Sequence, residues 1–154
     1  MSDADDVRVR RAERGDAPAL LAMLVALSRM HGREPTIGLE VFERDGWDEP
    51  ARFQAWIAEA ADGTPVGFVQ GFPKYASWTG GDWFFVANLW VEPECRTGGV
   101  GAALMAAVEQ HARATGLARI ELTVARDNPA VGFYERLGLT DRGDYRMALD
   151  LPPL

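Results

Sequence analysis

The sequence is poor in the residues that most covalent and metal chemistry needs. One cysteine, Cys95, stands among 154 residues, so no disulfide can form within the chain and a reducing compartment is compatible. Its neighbours Glu92 and Glu94 disfavour a thiolate, and nothing nearby in sequence supplies it a base. There are two histidines, His31 and His111. No cluster of His, Cys, Asp and Glu has metal-ligand spacing, so no metal is expected. No Ser/His/Asp or Cys/His arrangement supports nucleophilic catalysis. Lysine is reduced to Lys74, which removes any phosphate loop ending in Gly-Lys-Ser/Thr. A basic surplus is also missing. The net charge is −7 and the pI about 4.8, whereas a nucleic-acid binder needs a basic face. No nucleic-acid partner is expected. An acidic balance suits a neutral or cationic acceptor, or serves only solubility.

Long apolar runs are absent too, so no membrane span is expected. Arg8, Arg10, Arg11 and Arg14 ahead of the apolar stretch 19–27 imitate a secretory signal. But Asp3, Asp5 and Asp6 precede them, Asp16 and Pro18 interrupt, and no small-residue cleavage site follows. A cytoplasmic protein is expected.

What is present suits one soluble domain over residues 1–154: 47% of residues are apolar and 25% charged. Val7 and Val9 alternate with arginines as a short, partly exposed strand. Asp16 is placed to cap a helix carrying Leu20, Leu24 and Leu27 on one face, ended by His31-Gly32. Residues 39–44 read as a second helix, stopped by Asp45-Gly46. Residues 53–60 and 66–72 read as strands joined through Asp62-Gly63. Residues 73–81 form a connection turning at Gly80-Gly81, and 83–91 a long aromatic strand ended by Pro93. Val100, Leu104 and Val108 share a face of a helix that Gly116 closes. Ile120, Leu122 and Val124 alternate as a buried strand. Asn128-Pro129 starts a helix that Gly138 closes. Residues 145–149 read as a last strand. The order β-α-α-β-β-β-α-β-α-β mixes hairpins with a crossover, so an α/β (α+β) fold with a mixed sheet flanked by helices is predicted.

The densest signal is residues 94–105, Glu-Cys-Arg-Thr-Gly-Gly-Val-Gly-Ala-Ala-Leu-Met. Gly98, Gly99 and Gly101 sit where a strand hands over to a helix, just after Arg96. Glycine lets backbone N–H groups crowd together, and such groups ahead of a helix make an anion site. A dinucleotide fingerprint is only half met: Gly99 and Gly101 supply two glycines and Leu104 holds the third position, with Glu121 downstream. The loop also comes too late in the chain for a doubly wound sheet.

Arg96-Thr97-Gly98-Gly99-Val100-Gly101 matches R/Q-x-x-G-x-G/A, the acyl-CoA pyrophosphate loop of the GNAT N-acetyltransferases. Asn128-Pro129-Ala130-Val131-Gly132-Phe133-Tyr134-Glu135-Arg136-Leu137-Gly138-Leu139 is similar to that family's N-x-x-A-x-x-F-Y-x-x-x-G-F segment, one residue shorter before the Phe-Tyr pair. The resemblance covers roughly the whole chain. It implies the GNAT fold and transfer of an acetyl group from acetyl-CoA, as co-substrate, to a primary amine of a small molecule. The transfer would proceed by direct attack in a ternary complex.

The resemblance also implies roles by position. Backbone N–H groups of Thr97, Gly98, Gly99, Val100, Gly101 and Ala102 would meet the pyrophosphate, with Arg96 adding charge. The strand ending in Leu89-Trp90-Val91 would splay and offer its backbone to the pantetheine. Asn128 and Phe133 would touch the cofactor. Tyr134 would protonate the leaving thiolate, or else pack as a core aromatic beside Phe133. Many members carry a carboxylate as base where this chain has Asn88, preceded by Ala87; an amide cannot take the proton. His31, Asp82, Glu92, Glu121 or a water held by Asn88 are candidates for the base, and His111 is expected only to pack or be solvated. Residues 45–47, 72–81 and 144–146 resemble the diamine (spermidine/spermine) branch, which implies a homodimer, although that branch has paired acids where Ala87-Asn88 stand. Trp47, Tyr75, Trp78 and Trp83 could line an acceptor pocket or lie in the core. The alternative is a CoA-binding sensor or interaction module of the same fold that has lost turnover.

Overall fold

The computed structural model describes residues 6–153; Asp3 and Asp5 lie outside the described residues. The chain divides after Thr123 into two compact units, and each is treated by itself.

The first unit is a five-stranded sheet in the order β1-β2-β3-β4-β5. Its strands are β1 (Arg8–Arg11), β2 (Gln54–Glu59), β3 (Pro65–Ala76), β4 (Gly81–Val91) and β5 (Ile120–Leu122). The first four pair antiparallel and β5 joins β4 in parallel, giving the mixed sheet expected. Helices α1 (Ala17–Met30) and α2 (Leu39–Trp47) follow β1, and α3 (Val100–Ala114) links β4 to β5.

The two faces of the sheet bury different sets. Ala55, Ile57, Phe68 and Trp90 form one core with Leu20, Met23, Phe42 and Phe53. On the other face Val100, Leu104 and Val108 of α3 are fully buried, each contributing about 1.5–3 kcal/mol by leaving water. His111 of α3 stacks edge-on to Trp56 and Phe84 at ring separations of 5.1 and 5.7 Å, a packing role. Burial, aided by Arg11, holds its imidazole below the usual range. Gly67 of β3 lets α3 come this close. A Cβ there would stand 2.7 Å from the Trp90 carbonyl oxygen and 3.2 Å from Leu104 Cδ1.

Several expectations are corrected. Asp16 precedes α1 but makes no side-chain cap. Its carboxylate is taken by both terminal nitrogens of Arg10, at 2.7 and 2.9 Å, and by the Glu13 N–H. The second helix runs through Asp45-Gly46 to Trp47, because Trp47 is held by packing: its ring meets Phe42 and Phe53, and Nε1 donates to the Ala12 carbonyl at 3.1 Å. Tertiary contact outweighs the local stop signal. The connection expected over 73–81 is mostly strand, with β3 continuing to Ala76 and β4 starting at Gly81. β5 is short and half-buried, ending before Val124. The last strand expected at 145–149 is absent among the described residues. Tyr145, Met147, Leu149 and Leu151 alternate but stand 80–91% exposed. An alternating pattern makes a strand only when another strand pairs with it, and among the described residues 145–149 pair with none.

The second unit contains one helix, α4 (Val131–Arg136). Arg126 and Asp141 of the same unit form an ion pair.

Candidate active site

The expected site residues fall in both units, 88–102 in the first and 128–134 in the second.

Strand β4 changes character halfway along. Its ladder with β5 covers Phe84, Phe85 and Val86 only. Its ladder with β3 slips at the next residue: Gly71 pairs with Val86 and Gln70 with Asn88, so Ala87 is an extra residue in a bulge. Beyond it, β4 pairs with β3 alone. The Glu92 N–H donates to the Val66 carbonyl at 2.8 Å. Antiparallel pairing alternates inward and outward groups, so Asn88, Trp90 and Glu92 turn their backbone toward β3. Leu89 and Val91 turn theirs to the side that β5 has left. Leu89 and Val91 thus carry the backbone groups on the side of β4 that the β5 ladder does not reach. Trp90 is not part of that edge. Its backbone faces β3 and its ring lies in the core, with Nε1 buried and unpartnered among the described residues.

Arg96 folds back along this edge. Its Nε donates to the Val91 carbonyl at 2.9 Å, and its guanidinium lies over the Trp90 ring. The Val91 carbonyl is thus engaged, while Leu89 meets no such partner among the described residues. Pro93–Cys95 form a single 3-10 turn that buries Cys95. Gly98 N–H donates back to the Cys95 carbonyl at 3.3 Å.

Gly99 ends the loop at φ 81°, a left-handed conformation that opens α3. The Ala103 N–H donates to the Gly99 carbonyl at 3.0 Å and closes the first turn of α3. No side chain caps the helix. The N–H groups of Gly99, Val100, Gly101 and Ala102 are therefore the orphan donors of a helix start, beside the positive end of its dipole. These groups fit a phosphate. Thr97 is exposed, ahead of these donors.

In the second unit, Asn128 Oδ1 accepts the Ala130 N–H at 2.8 Å, and its carbonyl accepts the Val131 N–H. It closes the turn into α4, as its capping chemistry predicts, although Ala130 holds the N-cap position. Phe133 and Tyr134 stand with ring centres 5.2 Å apart, both half-buried. Burial pushes the Tyr134 phenol above its usual 10.0.

The candidate bases are dispersed. His31 is an exposed helix end and Asp82 an exposed strand start. Glu121 sits on the rung of Phe85 and accepts Lys74 Nζ at 2.9 Å. Asn88, by contrast, has a partner that the sequence reading missed: its Nδ2 donates to Gln70 Oε1 at 2.8 Å. The signal was a lone amide inside the apolar run 66–72. The aromatics considered for a pocket are not brought together. Trp47 belongs to the core beneath α1 and α2, Trp78 is fully exposed, and Trp83 lies under Arg119. A cleft of about 270 Å³ lined by Arg14, Glu40, Val41, Glu43, Arg44 and Asp48 shares no residue with the site.

A forked β4 edge followed by a glycine-opened helix start agrees with the sequence comparisons. The model of the "Acetyltransferase (GNAT) family" matches residues 21–139, and this chain belongs to that family, as an acetyltransferase. Thialysine N-epsilon-acetyltransferase of Sus scrofa is 30% identical over 145 residues, covering 88% of this chain and 85% of that protein. Mycothiol acetyltransferase of Thermobispora bispora is 36% identical over 145 residues, but this chain spans only 47% of it. Among solved structures, an aminoglycoside acetyltransferase from an uncultured soil sample superposes with a TM-score of 0.83 over 97% of this chain and 99% of that one. At 14% identity it shows the fold alone.

Proposed function

We propose that this protein transfers the acetyl group of acetyl-CoA to a primary amine of a small molecule, by direct attack in a ternary complex. The observation that carries the reading is the outward backbone of Leu89 and Val91 leading into the orphan N–H groups of Gly99–Ala102. An extended amide chain with a diphosphate at one end suits that succession. The backbone donors hold the diphosphate. The edge of β4 pairs with the pantetheine, and an outward N–H there polarises the thioester carbonyl. The neutral amine attacks the carbonyl carbon; the N–C bond forms and the C–S bond breaks. The amine's surplus proton goes to solvent; Tyr134 gives its phenolic proton to the departing thiolate and regains one from solvent.

The acceptor is an amine carried on a small polar molecule. The relative named for the ε-nitrogen of thialysine supports an amino-acid amine, and the acidic balance of the chain accords with it. A homodimer in the cytoplasm completes the reading, with the exposed apolar residues Tyr145, Met147, Leu149 and Leu151 as surface to be covered; a monomer mass by light scattering would remove the dimer. The test of activity is thiol release from acetyl-CoA with thialysine, ornithine and a diamine. A second reading, a CoA-binding module without turnover, is favoured by the amide at Asn88. Binding of acetyl-CoA with no thiol release from any amine would establish it.

A further inference from the structure

Two amides face each other across the β3–β4 ladder at the rung where β4 bulges. Asn88 Nδ2 donates to Gln70 Oε1 at 2.8 Å, and the two residues are register partners. Gln70 is the one buried polar residue among those described, at 8% exposure. Burying an amide costs free energy unless its groups are hydrogen-bonded. Here one donor and one acceptor are matched; Gln70 Nε2 and Asn88 Oδ1 have no partner among the described residues.

The surroundings do not ask for a polar pair. One step along the same face, Phe68 and Trp90 lie in the apolar core. On the other side Phe72 and Phe85 pack at 5.4 Å between ring centres. Two aliphatic side chains would fill this rung at lower desolvation cost. What distinguishes the rung is its place. It is the first after the β5 ladder ends at Val86, and it directly precedes Leu89, whose backbone turns outward.

We propose that Gln70 is a positioning residue for the acceptor amine. By accepting from Asn88 Nδ2 it leaves Asn88 Oδ1 as the free acceptor on the sheet face beside Leu89, the residue at which the open edge begins. There that oxygen takes a hydrogen bond from an N–H of the incoming amine and sets its lone pair toward the thioester carbon. Asn88 can accept an N–H but cannot take a proton; it orients the amine without deprotonating it. The inference rests on the acetyl-transfer reading above.

The test compares Gln70→Leu and Gln70→Glu in the full chain, with whichever of thialysine, ornithine and a diamine the wild type acetylates fastest. Gln70→Leu removes the oxygen that holds Asn88. It lowers kcat/KM for the amine about tenfold, the loss of one oriented hydrogen bond, with the KM for acetyl-CoA unchanged. Gln70→Glu keeps an acceptor oxygen for Asn88 Nδ2 and restores most of the rate. The melting temperatures rank the opposite way, because an apolar Leu suits this rung better than a buried carboxylate. Full activity in Gln70→Leu, or a Gln70→Glu variant no better than Gln70→Leu, overturns the positioning role. A wild type that binds acetyl-CoA and acetylates no amine overturns the acetyl-transfer reading and this inference together.

Discussion

The guanidinium carbon of Arg96 lies 4.7 Å from the centre of the Trp90 ring. From there Nε reaches the carbonyl of Val91, the next residue along the strand, at 2.9 Å. The arginine of the loop motif thus braces the open end of β4 as well as bringing charge to the loop. Arg96→Lys keeps the charge but loses the planar stack and the Nε donor. The cation–π contact and the hydrogen bond together are worth about 1–2 kcal/mol. A fall in melting temperature of about 2–6 °C is expected, measured without ligand. An unchanged melting temperature would leave Arg96 with charge as its only role.

Gly99 separates backbone strain from phosphate binding. Its φ of 81° disfavours any side chain, but Asn and Asp tolerate this region best. Gly99→Asn and Gly99→Asp therefore share the backbone cost, about 1–2 kcal/mol. Only the aspartate sets a negative charge among the donors, where a phosphate would be repelled by several kcal/mol. Titration calorimetry is expected to show acetyl-CoA affinity at least about a hundredfold weaker for Asp than for Asn. Equal affinities would remove the loop as the phosphate site.

Tyr134 acts, on the account given, as a proton donor. Tyr134→Phe is expected to lower kcat at least about tenfold, with acetyl-CoA affinity retained. The pH dependence has a definite sign. An acid stops working as pH rises through its pKa, and burial has moved this phenol above its usual 10.0. The limb due to Tyr134 therefore falls only above pH 10, and the wild-type rate holds through neutral and mildly alkaline pH. A loss of activity centred below pH 9 and abolished in Tyr134→Phe would contradict the shift.

Gly67 lets both the β4 backbone at Trp90 and the α3 side chains Val100 and Leu104 lie close against β3. In Gly67→Ala the new methyl meets the Trp90 carbonyl at 2.7 Å, and backbone cannot swing aside as a side-chain end does. Overpacking of this kind costs about 1–3 kcal/mol, and chemical denaturation would read it as a lower midpoint at constant slope. A midpoint equal to the wild type would show that the β4 backbone at Trp90 has room to shift.

The sequence disclosed the elements whose signals are local. Val100, Leu104 and Val108 mark the buried face of α3 by spacing alone. Gly99 marks its start because a left-handed residue is needed there. Signals that depend on a distant partner were misread. Asp16 has the chemistry of a cap, yet Arg10 takes its carboxylate. Asp45-Gly46 would end a helix, yet the buried Trp47 carries it further. Tyr145, Met147, Leu149 and Leu151 have a strand's alternation yet pair with no strand among the described residues. The bulge at Ala87 and the Gln70–Asn88 bond were equally invisible, because both are relations between two strands. Asn88 alone reads as a lost carboxylate; beside Gln70 it reads as an oriented amide.

The central claim is that the β4 edge and the start of α3 hold acetyl-CoA. Thermal unfolding with saturating acetyl-CoA, beside NAD and ATP, tests it most directly, since a ligand of the folded state raises the melting temperature. The account predicts a rise with acetyl-CoA that neither nucleotide matches. No rise with acetyl-CoA, or an equal one with NAD or ATP, would contradict it.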